Sequence, residues 1–185
     1  MSAIKLSVKR AVGEYDFSAS RFFGPPLIPQ EWCDTFGNDE IFLCQIKLSE
    51  VKELLPSNSL PENGYLYIFL DTIDGNRHLK PIIRHYNGEP CVVFDDFNCA
   101  VEGYEEFNEP WLITMELTDE DEDCTRLFGV PSDWNYDEEP PKLLMQFDPL
   151  DSDMGFLSTL DGYVYFFFGR DTSRLDDVTI QEEYS

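Results

Sequence analysis

The chain has 185 residues, 42% of them apolar, with fifteen Phe and nine Tyr, enough to bury one ordinary core. Its formal net charge of −24 repels phosphate backbones and anionic lipid surfaces, which argues against nucleic-acid or membrane binding through charge. The charge is lopsided: residues 1–92 carry −3, residues 93–185 carry −21, and Glu89 to Asp123 hold thirteen acids with no Lys or Arg.

Leu6 and Val8 open a strand that extends towards Ala11. Phe22 to Pro29 holds three prolines and a glycine, which reads as a shaped loop with its apolar side chains turned inward. Glu40 to Ile46 is apolar nearly throughout and predicts a strand covered on both faces. Ser49 is placed to cap a short helix over Glu50 to Leu55, stopped by Pro56. Pro61-Glu62-Asn63-Gly64 is turn chemistry that delivers the chain into a strand from Tyr65 to Leu70. Pro81 to Tyr86, Val92 to Phe94 and Leu112 to Leu117 are further strands.

The tract Asp119 to Asp123 must be exposed, because five adjacent carboxylates cannot be desolvated without partners. Leu143 to Phe147 and Tyr163 to Phe168 repeat the earlier strand types, and Asp148 to Asp153 is an acidic loop. Thr172 to Asp177 predicts one helical turn, followed by a last strand from Val178 to Gln181.

Three blocks recur in order. Arg21-Phe22-Phe23-Gly24-Pro25-Pro26 returns as Arg126-Leu127-Phe128-Gly129-Val130-Pro131, Leu43-Cys44-Gln45 as Leu144-Met145-Gln146, and Gly64-Tyr65-Leu66-Tyr67-Ile68-Phe69 as Gly162-Tyr163-Val164-Tyr165-Phe166-Phe167. One supersecondary unit is therefore built twice. The expected fold is a single β-rich α+β domain over 1–185, mostly antiparallel, with few short helices. Its two pseudo-repeat units lie at about 15–90 and 120–185, joined by an acidic segment.

These blocks carry a resemblance. The loop Phe23-Gly24-Pro25-Pro26-Leu27-Ile28-Pro29 is followed by Gln45-Ile46, Leu60-Pro61-Glu62-Asn63-Gly64, Gly129-Val130-Pro131, Leu143-Leu144-Met145-Gln146-Phe147-Asp148 and Gly162 to Phe168. The ordered set resembles the YwqG-like family, a bacterial domain of unknown function. Phe23 stands where that pattern has a glycine pair. The resemblance implies a fold; it brings no catalytic residues and no cofactor.

No phosphate loop, nucleophile elbow or paired metal-ligand motif is present. His78 and His85 read as surface histidines, and Asp148, Asp151 and Asp153 lack the spacing of a calcium loop. Five cysteines, at 33, 44, 91, 99 and 124, are an odd number. Residues 1–15 lack the apolar run of a signal peptide, and no stretch has the length of a membrane span. The reading is a cytoplasmic protein with free thiols.

Two function classes follow. The first is a non-enzymatic acidic module that binds a basic protein through Asp119, Glu120, Asp121, Glu122 and Asp123, as an antidote to a basic toxin or a mimic of nucleic-acid charge does. The alternative is a small-molecule-binding protein or enzyme using a cleft between the units, with Arg21, Gln45, Tyr65, Arg126, Gln146 and Tyr163 as candidates. The repeated Arg and Gln also have a structural reading, as buried polar groups that bond the neighbouring backbone.

Overall fold

The computed structural model describes residues 2–37, 40–71, 80–96, 108–132, 134, 139–148 and 163–182. His78, Cys99, Asp151 and Asp153 lie outside them. In chain order the strands are β1 (Ser2–Arg10), β2 (Arg21–Phe22), β3 (Leu27–Ile28), β4 (Glu40–Lys47), β5 (Tyr65–Asp71), β6 (Lys80–Tyr86), β7 (Val92–Val93), β8 (Trp111–Asp119), β9 (Arg126–Leu127), β10 (Leu143–Phe147), β11 (Val164–Phe167) and β12 (Thr179–Glu182). Among the described residues the one α-helix is α1 (Leu48–Leu54).

The fold is therefore mostly β, which corrects the α+β class expected from sequence. Part of the reason lies near the C-terminus. The predicted helical turn over Thr172 to Asp177 shrinks to a 3₁₀ turn, Leu175–Asp177. The Asp171 carboxylate accepts from Ser173 N–H at 3.0 Å and from its hydroxyl at 2.6 Å. That local turn competes with helix for the same backbone. At α1 the helix begins at Leu48, so Ser49 lies inside its first turn and does not cap it.

The chain divides into two compact units. One comprises Val8–Ser49 and Pro61–Ile113, with strand order β8-β2-β4-β5-β6 and a separate β3–β7 ribbon. Its strand pairings, β2–β4, β2–β8, β3–β7, β4–β5 and β5–β6, are antiparallel. Its aromatic core gathers Ile28, Phe42, Tyr65, Tyr67 and Phe69, with Trp32, Phe36, Tyr86 and Phe94 packed against them. The other comprises Met1–Ser7, Glu50–Leu60 and Thr114–Ser185, with order β12-β11-β10-β9-β1. Tyr163, Tyr165 and Phe167 stack along one face of β11, at ring separations of 5.8 and 5.6 Å. β5 and β11 are central in their units, apolar on both faces and buried.

Each unit is completed by a strand from outside its own repeat. The opening strand β1 pairs with β9 through Ile4↔Leu127 and Lys5↔Arg126. The strand β8, which leads into the second repeat, pairs with β2 through Arg21↔Leu112 and Phe22↔Trp111. Matching hydrogen bonds mark the equivalence: Leu6 N–H donates to Thr125 O at 2.8 Å, and Ile113 N–H to Ser20 O at 2.9 Å.

The Phe-Gly step is a tight reversal with two successive left-handed residues. Phe23 has φ 55° and Gly24 68°; Phe128 has φ 63° and Gly129 89°. A left-handed Phe costs about 1–2 kcal/mol, so the surroundings must hold it. Phe23 N–H donates to Leu43 O at 2.9 Å and Phe128 N–H to Leu144 O at 3.2 Å. The glycines admit no side chain: a Cβ on Gly129 would collide with Glu120 O, and one on Gly24 would lie 2.9 Å from Pro110 Cβ. Gly129→Ala is expected to lower stability by about 2–4 kcal/mol, read as a fall in the urea midpoint. Gly13→Ala, at φ 81° with nothing within 4 Å, should cost only about 1–2 kcal/mol from the backbone.

Candidate functional site

The repeated polar residues form one row across each unit. Arg21 on β2 is the register partner of Gln45 on β4, which is the partner of Tyr67 on β5. Arg126 on β9 faces Gln146 on β10, which faces Tyr165 on β11. Directly opposed residues share a face of the sheet, so each trio is one polar stripe in an apolar core. Arg21, Gln45, Arg126 and Gln146 all have 0% exposure.

The stripe bonds backbone carbonyls on both sides of the tight reversal. Arg21 Nη1 donates to Phe17 O at 2.6 Å and Ala19 O at 3.4 Å, and Nη2 donates to Pro25 O. Arg126 donates to Glu122 O and Val130 O, the equivalent positions. Gln45 Nε2 donates to Phe17 O and Ala19 O at 3.0 and 3.2 Å, while its Oε1 accepts from Leu27 N–H at 3.1 Å. Gln146 Nε2 donates to Cys124 O at 3.1 Å and Ser132 Oγ at 2.7 Å, and its Oε1 accepts from Ser132 N–H at 2.9 Å. The tyrosine hydroxyls close the set, Tyr67 to Leu27 O at 2.6 Å and Tyr165 to Ser132 O at 2.8 Å.

Among the described residues neither guanidinium donates to a carboxylate in these contacts, and the Nε of each has no hydrogen-bond partner. Burial pushes Arg21 down to about 10 against its ordinary 12.5. Two rings face its charge, Tyr15 and Phe17, each 5.8 Å from the guanidinium carbon.

The six ligand candidates thus separate into two sets of three, one in each unit. The Arg and Gln of each set bond their own backbone, and the expected tyrosines, Tyr65 and Tyr163, are not the ones that join them. Tyr65 lies at the β5 end beside Lys47 and Tyr86, buried, with its phenol pushed up by burial. Tyr163 stacks on Tyr165. The signal for Tyr67 and Tyr165 was present in sequence, because they too recur in the Gly-Tyr-x-Tyr block. Ser20 and Thr125 were missed as well: Lys47 N–H donates to Ser20 Oγ at 2.9 Å and Asp148 N–H to Thr125 Oγ1 at 3.1 Å.

The acidic tract forms the turn between β8 and β9. Asp119, Asp121, Glu122 and Asp123 are exposed and Glu120 is half-buried. Its backbone faces inward: Glu122 O takes the Arg126 hydrogen bond and Glu120 O accepts from Val130 N–H at 2.8 Å. The Glu122 carboxylate accepts from Thr118 and pairs with Lys5 at 3.3 Å, and the Thr118 contact is the leading cause that holds its pKa below the usual carboxylate range. Asp119, Asp121 and Asp123 present the remaining charge.

His85 reaches Asn63 O at 2.9 Å, a surface contact. Among the described residues no group of three or more His, Cys, Asp or Glu is placed to hold a metal ion, and no helix is long and apolar enough to cross a membrane. No protein-family model matches the chain, and no curated protein matches it.

Two measurements test the polar stripes. Gln146→Leu strands Ser132 N–H and Cys124 O in the core and should cost about 2–4 kcal/mol in urea unfolding, with Gln45→Leu similar. Tyr67→Phe and Tyr165→Phe, which remove one hydroxyl bond each, should cost about 1 kcal/mol.

Alkaline pH supplies a third. Burial pushes the Cys44 thiol far above its ordinary 9.0, so the unfolded chain loses that proton first and stability falls as pH rises past about 9. Cys124 adds to this in the same direction, and Tyr67 joins above its ordinary 10.0. Arg21 acts oppositely from about 10 upward, since there the unfolded chain holds the extra proton. Urea midpoints below about pH 9.5 therefore weight the thiols over the buried tyrosines and Arg21, and Cys44→Ala should flatten that decline.

Proposed function

We propose that this chain is a non-catalytic acidic module that docks a basic protein, with the turn Asp119–Asp123 as its contact. The observation that carries the reading is the exposure of Asp119, Asp121 and Asp123 on a turn anchored from beneath by Arg126. A turn fixed by buried hydrogen bonds presents its charges at small ordering cost. The wider field supports it, since the protein carries −24 overall and such a field speeds encounter with a cationic surface. An antidote to a basic toxin and a mimic of nucleic-acid charge both fit this chemistry. The resemblance to the YwqG-like family belongs to the proposal as a statement of fold and assigns no reaction. A cytoplasmic setting belongs to it too, supported by the odd number of cysteines. The small-molecule alternative loses its first candidates, because the buried Arg and Gln pairs are engaged by their own units.

Capture of partners from lysate at stepped ionic strength tests the reading. Captured proteins should be basic, and retention should fall steeply as salt rises from about 0.05 to 0.3 M. The triple variant Asp119→Asn, Asp121→Asn, Asp123→Asn should slow association by roughly tenfold at low salt and leave the urea midpoint nearly unchanged. Acidic or neutral partners, or retention indifferent to salt, refute it.

A further inference from the structure

Two strands lead into the two repeats, and each is seated in the other repeat. β1 precedes the first repeat and pairs with β9 of the second, Ile4↔Leu127 and Lys5↔Arg126. β8 precedes the second repeat and pairs with β2 of the first, Trp111↔Phe22 and Leu112↔Arg21. Arg21 and Arg126 are equivalent in the repeat, so Leu112 corresponds to Lys5 and Trp111 to Ile4. The bonds that Leu6 and Ile113 donate to Thr125 O and Ser20 O continue the match. A reciprocal exchange of leading strands is the pattern of a strand-swapped dimer, here joined into one chain.

β1 is shaped and charged for its slot. Ala3, Ile4 and Leu6 have 0% exposure. Ala3 lies against Gly129, where an added Cβ would come 3.2 Å from the Ala3 Cβ. The strand carries Lys5, Lys9 and Arg10 and no acid, and its first half belongs to the unit that holds the acidic turn. There Lys5 Nζ pairs with Glu122 at 3.3 Å. The segment that fits this slot is terminal, and every copy of the chain carries one.

The linker after β1 is open. Ala11 N–H donates to Pro110 O at 2.9 Å. Val12 is 88% exposed, Glu14 is exposed, and Gly13 holds a φ of 81° with nothing within 4 Å of an added Cβ. Anchorage resumes at Tyr15, whose ring faces the Arg21 guanidinium, and at Phe17, whose carbonyl accepts from Arg21 and Gln45.

We propose that β1 is exchanged between two copies of this chain, with Val12–Glu14 as the hinge, so that Lys5 of the second copy completes the acidic turn Asp119–Asp123. The contacts of β1 are the same in either arrangement and only the hinge differs, so exchange costs little beyond association itself. Like net charges of −24 oppose the approach of two copies, and salt screens that repulsion. Exchange therefore strengthens with ionic strength, whereas capture of a basic partner weakens, so the two readings fail separately.

The test mixes equal amounts of heavy-isotope-labelled and unlabelled full-length chain, unfolds them in urea with dithiothreitol, and refolds them together at high concentration. A sizing column with light scattering should show a dimer of twice 21.5 kDa. Its share should rise roughly severalfold between about 0.05 and 0.3 M salt. Carbodiimide then joins the Lys5 amine to the Glu122 carboxylate, and mass spectrometry reads the isotopes of the linked peptides. About half of the links in the dimer should join a labelled to an unlabelled peptide, and those in the monomer should never mix. Gly13→Pro, whose ring forbids the positive φ of the closed hinge, should raise the dimer share, and Gly13→Ala should move it the same way. Monomer under every condition, a dimer whose Lys5–Glu122 links never mix isotopes, or a dimer share that neither Gly13 variant changes overturns the proposal.

Discussion

A buried guanidinium beneath a tight reversal is the constraint on which the rest of this fold depends. Two successive left-handed residues, Phe23-Gly24 and Phe128-Gly129, reverse the chain, and the guanidinium of each unit bonds carbonyls on both sides of the reversal, Phe17 and Pro25 in one and Glu122 and Val130 in the other. These hydrogen bonds are part-buried, where an unmet carbonyl is costly. Arg provides five N–H groups in a rigid fork, more than any neutral side chain of similar reach. Gln and Tyr on the next two strands complete the set, which is why all three residue types recur together.

Burying a cation is costly, and the two units offset it differently. In one, the π faces of Tyr15 and Phe17 meet Arg21. In the other, the positions that correspond to Tyr15 and Phe17 in the repeat are Glu120 and Glu122, and the Arg126 charge is one of the lesser causes that hold the Glu122 carboxylate below its ordinary range. Part of the acidic tract thus has a structural role, and the exposed aspartates beside it are the surplus. The charge asymmetry between the halves of the chain follows partly from this exchange of rings for carboxylates.

Much of the architecture was legible because the repeat fixes equivalent positions and alternating burial fixes strands. β4, β5, β10 and β11 were readable as apolar runs, and Gln45 and Gln146 as amides needing backbone partners. The helix content was less legible, since Thr172 to Asp177 has a plausible helical pattern and only the Asp171–Ser173 turn chemistry reveals the competing conformation. Which tyrosine joins the Arg–Gln row was not legible either. Tyr65 and Tyr67 share a face of β5, and only register decides which one stands beside Gln45. Register across strands is a long-range property that no local pattern contains. The same holds for β1 and β8, whose partners lie in the opposite repeat.

That exchange of strands has a consequence for how the protein is made. Ile4 leaves the ribosome more than a hundred residues ahead of Leu127, the residue it pairs with. At about 5–20 residues per second the β1 segment waits on the order of ten seconds for β9. During that interval Ala3, Ile4 and Leu6, all at 0% exposure in the finished fold, have no sheet to enter. Until Leu127 emerges, that apolar segment is exposed to association with other chains.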